Sequence, residues 1–310
     1  MTIFYYQATE NPVYRRYLEI LKIDPGNIEK PEQIPFLPIS FFKDHKVICG
    51  SNEPKVIFTS SGTSGTLTSS HFVIEPDLYE KSYMKGFRHF YGDPENYCIL
   101  ALLPSYLERE GSSLIYMAND LINKSQHPDS GFYLHDHLKL VEKLAALKKQ
   151  NQKTILLGVT YALLEITEQF PDLKFDSLNK LIVMETGGMK GKRKEMVREE
   201  LHEKLCNGFG VNTIHSEYGM TELLSQAYSK GNGVFECPSW MKILIRDTND
   251  PFAILPDKKT GGINVIDLAN IYSCSFIATQ DLGKKLENGS FEVLGRFDNS
   301  DIRGCNLLVQ

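Results

Sequence analysis

The chain has 310 residues, 42% of them hydrophobic and 24% charged, with a formal net charge of −5. That length supports one large or two modest domains around a sizeable core, and the acidic balance argues against a general nucleic-acid binder. No apolar run approaches the ~18–20 residues of a membrane span, and the start, Met1 to Gln7, lacks both the basic region and the apolar stretch of a signal peptide. Six cysteines, at 49, 98, 206, 237, 274 and 305, are widely spaced with no CxxC pair. They fit free thiols in a reducing compartment rather than a zinc or dithiol motif. The expectation is a cytoplasmic protein with no nucleic-acid partner and no membrane span.

The stretch from Pro12 to Leu21 has helical apolar spacing, and Pro31 to Lys43 is punctuated by three prolines that impose extended backbone over a surface or along a cleft. A strand, Val56 to Phe58, precedes a hydroxyl-rich loop. Strand and helix patterns then alternate. Helices are expected at 78–91, 113–122, 137–149, 161–169 and 192–205, and buried strands at 97–103, 154–157 and 180–184. In the helix over 137–149, Leu138, Val141, Leu144, Ala145 and Leu147 fall near one face. This alternation predicts a parallel sheet covered by helices. After about Tyr218 the pattern changes to short strands (240–246, 263–267, 275–279, 291–294) separated by Gly-rich turns, with a hairpin turn at Glu287–Ser290. The last third is expected to be a β-rich subdomain.

The hydroxyl-rich loop is Thr59, Ser60, Ser61, Gly62, Thr63, Ser64, Gly65 and Thr66. Its glycines allow tight turns and close approach, so hydroxyls and free N–H groups can converge on an anion. Composition alone favours a flexible Ser/Thr loop over a phosphate site. Leu67 stands where GxxxxGK[ST] needs its second glycine, and no GxGxxG occurs. His135-Asp-His137 is the start of a helix and reads as a cap rather than a metal site. His215 stands outside any GxSxG arrangement. Lys190-Gly-Lys-Arg-Lys194 reads as a solvated helix start, with an anion or partner contact as the other possibility. Tyr218-Gly-Met-Thr-Glu222 combines an aromatic ring for stacking on a base, a hydroxyl for a phosphate (Thr221) and a carboxylate for Mg²⁺ (Glu222).

Thr59–Thr66 and Tyr218–Glu222 together resemble the first and central motifs of the adenylate-forming superfamily, which includes acyl-CoA synthetases and luciferase-like enzymes. Further stretches occur in the same order: Gly158-Val-Thr-Tyr-Ala, Glu185-Thr-Gly187-Gly188, Gly261-Gly262, Thr279-Gln-Asp281-Leu-Gly283 and Gly295-Arg296-Phe-Asp298. The resemblance implies an α/β adenylate-forming large-domain fold, with two α/β subdomains plus a β-rich subdomain. It places Gly187 and Gly188 beside the adenine with Tyr218 and Gly219. Asp281 and Arg296 fall at the ribose, Glu222 on Mg²⁺, and a hinge at Asp298. Within the superfamily the chain is most similar to the acyl-protein synthetases of the bacterial luminescence type (LuxE), with phenylacetate-CoA ligases more distant. The carrying stretches are Ile34–Lys43, Thr59–Thr63, Pro104–Leu114, Glu185–Gly191 and Gly295–Cys305. That family uses ATP and Mg²⁺ to make an acyl-adenylate from a fatty acid. It then loads the acyl group as a thioester on its own cysteine, here Cys305, for a LuxC-like acyl reductase partner.

Two departures bear on this expectation. Thr68-Ser-Ser70 stands where the superfamily has a lysine, which leaves the phosphate charge to backbone, hydroxyls, Mg²⁺, Arg109 or Lys190. The chain also stops soon after Gly295, so the mobile C-terminal domain is expected to be missing or reduced to a tail. The expected organisation is an adenylate-forming domain over 1–294, α/β to about 218 and β-rich over 219–294, followed by hinge and tail at 295–310. Cys305 read without the resemblance is a small apolar residue in a terminal strand. Two rival readings stand beside the acyl-protein synthetase. One is an acyl- or aryl-CoA ligase or adenylate donor to an external thiol; the other is a non-catalytic nucleotide-binding subunit of a reductase complex.

Overall fold

The computed structural model describes residues 1–60, 68–104, 108–109, 111–171, 180–188 and 196–297. The N-terminus is two helices joined at one asparagine. Helix α1 (Thr2–Glu10) ends at Asn11, whose side-chain oxygen accepts from the N–H groups of Val13 and Tyr14 and so caps α2 (Pro12–Ile20). The proline-punctuated segment yields the two-residue strand β1 (Leu37–Pro38) and the short helix α3 (Phe41–Asp44). Strands β2 (Val56–Thr59) and β3 (Ser70–Val73) pair antiparallel in a small separate sheet, with Phe58 opposite His71 and Thr59 opposite Ser70. The hydroxyl-rich stretch joins these two strands.

The alternating region follows as α4 (Pro76–Tyr91), β4 (Cys98–Leu102), α5 (Ser113–Ser125), β5 (Gly131–Phe132), α6 (His137–Lys149), β6 (Thr154–Val159), α7 (Thr160–Gln169), β7 (Leu181–Thr186), α8 (Arg198–Phe209) and β8 (His215–Tyr218). The strands lie in the order β5-β4-β6-β7-β8, all parallel. Every residue of β4 and β6 is buried, as for strands covered by helices on both faces. The inward face of α6 differs from the sequence expectation. Leu140, Leu144 and Leu147 are buried while Leu138 is 69% exposed, because the i, i+4, i+7 row starting at Leu140 is the one that meets the sheet. Asp136 caps α6 by accepting from the Lys139 N–H.

Beyond β8 the same sheet turns antiparallel through β9 (Ala227–Ser229), β10 (Val234–Glu236), β11 (Met241–Arg246), β12 (Thr260–Asp267), β13 (Phe276–Lys285) and β14 (Phe291–Arg296), in the order β8-β9-β10-β14-β13-β12-β11. The hairpin between β13 and β14 turns at Gly289 (φ 85°), with the Leu286 N–H donating to Ser290 O. β1 adds parallel to the start of β13, Leu37 opposite Ile277, making twelve strands in one sheet. A second core gathers here: Phe4 and Tyr14 of the N-terminal helices pack on Phe276, beside Phe36 and Ile243. Gln7 fastens α1 by donating to Asn270 O and Ile271 O and accepting from the Ser275 N–H, and Asn11 donates to Ser273 O. The result is an α/β fold in which a helix-covered parallel sheet continues into a β-rich region.

Candidate functional site

The carboxyl end of β8 faces the antiparallel β13–β14 ladder at Asp281. Tyr218 closes β8, and its hydroxyl donates to Asp281 Oδ2 at 2.8 Å. Asp281 lies opposite Arg296 in the β13–β14 ladder, and Arg296 Nε approaches its Oδ1 at 3.3 Å. The phenol and the carboxylate are both buried, whereas the Arg296 side chain is 73% exposed. Burial pushes the Asp281 carboxyl up from its ordinary value, while Tyr218, Arg296 and Arg246 pull it back. A buried carboxylate with an exposed guanidinium at its lip suits a group bearing adjacent hydroxyls.

Arg246 braces this corner from beneath. Its guanidinium donates to Ile263 O at 2.8 Å and to Thr279 O at 2.5 Å, two residues before Asp281. The Gly261-Gly262 pair makes room for it. A Cβ at Gly262 would lie 2.5 Å from Arg246 Cζ, and one at Gly261 2.2 Å from Arg246 O. The glycine pair singled out in the sequence therefore serves packing under the site.

Glu222 sits in the turn after β8 and is buried, which raises its carboxyl above the ordinary range; the Ser69 hydroxyl and the fields of Arg296 and Lys43 oppose that rise. Ser69 belongs to the stem of the hydroxyl-rich loop. The Ser60 N–H donates to Ser69 O at 3.0 Å and the Ser69 N–H to Ser60 Oγ at 2.9 Å, while the Thr59 N–H donates to Gly111 O at 2.7 Å. The base of the loop and the carboxylate at 222 are thus neighbours. Thr221 offers its carbonyl to His71 Nδ1 at 2.8 Å. Ser61, Gly62, Thr63, Ser64, Gly65, Thr66, Lys190, Asp298 and Cys305 lie outside the described residues.

Gly187 and Gly188 follow β7, next to β8, with consecutive positive φ of 73° and 60°. Just before them, Thr186 Oγ1 donates to Glu217 at 2.5 Å and Thr160 Oγ1 to Glu185 at 3.0 Å. Burial would raise the Glu185 carboxyl, but His202, Ser216 and Arg198 outweigh it and hold it below the ordinary value. Arg198 also reaches Val293 O on β14 at 3.3 Å and lies over the Phe235 ring. A side chain at Gly219 would meet Glu217 Oε1 at 2.3 Å, so the glycine leaves space for that carboxylate.

Three residues near the site are not singled out as site residues in the sequence: Lys43, Arg246 and His71. Lys43 belongs to the Ile34–Lys43 stretch of the resemblance, the one signal that could have found it. Arg109, suggested for the missing lysine, is half-buried. Of the histidines singled out, His135 pairs with Glu108 at 2.6 Å and His137 with Gln169 at 2.8 Å. His215 lies beside Tyr91 with its pKa pushed down to about 4 by burial, and next by Lys230. Among the described residues no group of three or more His, Cys, Asp or Glu side chains is arranged to hold a metal ion, and no helix is long and apolar enough to cross a membrane.

The fold matches that of adenylate-forming CoA ligases. ATP-bound MatB from Rhodopseudomonas palustris is similar over 77% of this chain and 47% of its own, with TM-score 0.58 and 18% identity. An open conformation of 2-hydroxyisobutyryl-CoA ligase in complex with 2-HIB-AMP and CoA is similar over 96% of this chain and 68% of its own, with TM-score 0.72 and 13% identity. The same ligase in its thioesterification state gives TM-score 0.72 at 14% identity. The chain spans about half the length of the MatB structure. No protein-family model and no curated protein matches it.

Proposed function

We propose that the chain activates a carboxylic acid, of the fatty-acid class by its resemblance, with ATP to form an acyl-adenylate. The observation that supports this most is the Tyr218–Asp281–Arg296 group beside buried Glu222, at the end of the parallel strands, in a fold shared with an ATP-bound ligase. Ligands in such sheets bind beyond the carboxyl ends of the strands. Asp281 and Arg296 take the ribose hydroxyls, and Tyr218 with Gly187, Gly188 and Gly219 borders the base. The Thr59–Thr66 loop and the Thr221 hydroxyl take phosphate oxygens. Lys43 and Arg296, whose fields already reach Glu222, supply the positive charge that the loop lacks. The donor set at Glu222 fits Mg²⁺, which takes one or two protein carboxylates and completes its shell with phosphate oxygens and water. Bound there, Mg²⁺ would neutralise phosphate charge.

In the first half-reaction a carboxylate oxygen attacks the α-phosphorus, an acyl–phosphate bond forms, and the bond to pyrophosphate breaks. Catalysis here is positioning and charge stabilisation. In the second, a thiol gives up its proton to solvent and its sulfur attacks the acyl carbon, forming a thioester and releasing AMP. We assign Cys305 as that thiol from the resemblance, with residues 1–294 as the adenylating domain, 295–310 as hinge and tail, and a LuxC-like reductase as the recipient. An external thiol such as CoA is the second reading, favoured by the CoA bound to the 2-hydroxyisobutyryl-CoA ligase. The test is acid-dependent exchange of pyrophosphate into ATP. Exchange with one acid from a panel of fatty, aryl and hydroxy acids is the expected result; no exchange with any acid would leave a nucleotide-binding subunit.

A further inference from the structure

We propose that Phe297, seated on the Arg246 guanidinium, is the positioning residue that holds Arg296 over Asp281. Only the effect on ATP rests on the ribose reading above. Arg296 cannot hold itself in place. Its side chain is 73% exposed, and an exposed ion pair contributes little against the rotamer freedom of a long side chain. Its backbone is weakly held too. Asp281 opposite Arg296 is the outermost pair of the β13–β14 ladder at this end. The residue before it, Gly295, has φ 150° and nothing within 4 Å of where a Cβ would stand.

The residue after Arg296 supplies the anchor. The Phe297 N–H donates to Gln280 O at 2.7 Å, which extends the pairing by one residue. Successive side chains of an extended chain point to opposite faces. With Arg296 directed to Asp281, Phe297 turns to the other face, where its ring lies over the Arg246 guanidinium, 5.6 Å from Cζ to the ring centroid. That is inside the ~6 Å reach of a cation–π contact.

Arg246 suits this role because its plane is already fixed. Nη1 donates to Ile263 O and Asn264 Oδ1, both at 2.8 Å, and Nη2 donates to Thr279 O at 2.5 Å. A guanidinium donates in its own plane, so these bonds lock its orientation and leave a face for the ring. The same side chain reaches the carboxylate's strand. The Asp281 N–H donates to Thr279 Oγ1 at 3.1 Å, and Thr279 is the residue whose carbonyl Arg246 holds. One guanidinium thus places both members of the pair, Asp281 through Thr279 and Arg296 through Phe297.

The experiment compares two variants of the full chain. Phe297→Leu removes the ring without changing a charge or a backbone hydrogen bond, and Phe297→Tyr keeps the ring. The first readout is a ¹³C NMR titration of the Asp281 carboxyl, assigned by its loss in Asp281→Asn. The groups that face this carboxyl are Tyr218, Arg296 and Arg246, and the field of Arg296 lowers its pKa. Release of Arg296 therefore lets the midpoint rise. It should rise in Phe297→Leu by most of the change seen in Arg296→Gln, and stay at the wild-type value in Phe297→Tyr. An unchanged midpoint in Phe297→Leu, or the same rise in both variants, overturns the proposal. The second readout is calorimetric: half-saturating ATP should increase about fivefold in Phe297→Leu, the scale of one cation–π contact, and stay within about twofold in Phe297→Tyr. The titration needs no nucleotide. A wild type that binds no ATP, or a risen midpoint with unchanged ATP affinity, sinks the ribose reading and leaves the positioning of Arg296 decided by NMR.

Discussion

Tyr218 and Asp281 are 63 positions apart in the chain and share a buried 2.8 Å hydrogen bond. The phenol is a donor to Asp281 that a single hydroxyl-sized change removes without altering charge. In Tyr218→Phe the carboxyl, already raised by burial, rises further. Loss of the bond costs roughly 1–3 kcal/mol, so half-saturating ATP should increase about tenfold in exchange or calorimetric titration. An unchanged value would place the nucleotide elsewhere.

Glu222→Gln removes a charge at almost constant shape. Exchange should fall about a hundredfold, the scale for losing one preorganised electrostatic contact, and added Mg²⁺ should restore little of it. Burial raises the Glu222 carboxyl, so the wild-type acid limb should lie above that of an ordinary carboxylate. A variant with wild-type Mg²⁺ dependence would remove Glu222 from the metal.

Gly262→Ala tests the brace under Asp281. The new Cβ would stand 2.5 Å from Arg246 Cζ and push the guanidinium off Thr279 O. Stability should drop by ~1–3 kcal/mol, as for other overpacked sites, with weaker ATP binding. Gly86→Ala is the contrast: Gly86 lies inside α4 with nothing within 4 Å of the methyl that alanine would add, so this change should stabilise by ~0.5–1 kcal/mol in urea unfolding.

Two buried histidines set an acid dependence. Burial holds His71 and His215 near 4, below the ordinary 6.5. On acidification the unfolded chain takes protons through 6.5 while the folded chain does not until about 4. Their contribution to stability is complete above 6.5 and is lost as pH falls through that window. Between pH 7 and pH 5, His71→Asn should lose about 2 kcal/mol less stability than the wild type. Equal losses would mean that His71 titrates normally.

Cys305→Ala separates the two thiols. Exchange should persist, and a radiolabelled acyl group should no longer stay on the purified protein. Retained label would exclude Cys305 as the acceptor.

The elements were largely legible, and the site was legible only in fragments. The apolar spacings over 12–21 and 137–149 announce helices because periodicity is local. In α6 the same periodicity admitted two neighbouring faces, and only the position of the sheet selects Leu140 over Leu138. Tyr218, Asp281 and Arg296 could each be named from its motif, but their meeting depends on the β13–β14 register, with its irregularity between Leu282 and Gly283. His71 has no motif. Its importance comes from burial against a carbonyl 150 positions away, which no local pattern encodes. Arg246 was hidden likewise, although its shadow, the Gly261-Gly262 pair, was visible.

The docking of α1 through Gln7 has a consequence during synthesis. Its hydrogen bonds join positions up to 268 residues apart, and Phe4 and Tyr14 rest on Phe276. Since the ribosome makes the N-terminus first, these helices emerge long before the strands that cover them. Their aromatic face must wait, exposed to chaperones and to other nascent chains, until β13 leaves the exit tunnel. Helices α1 and α2 are thus made well before the strand they finally rest on.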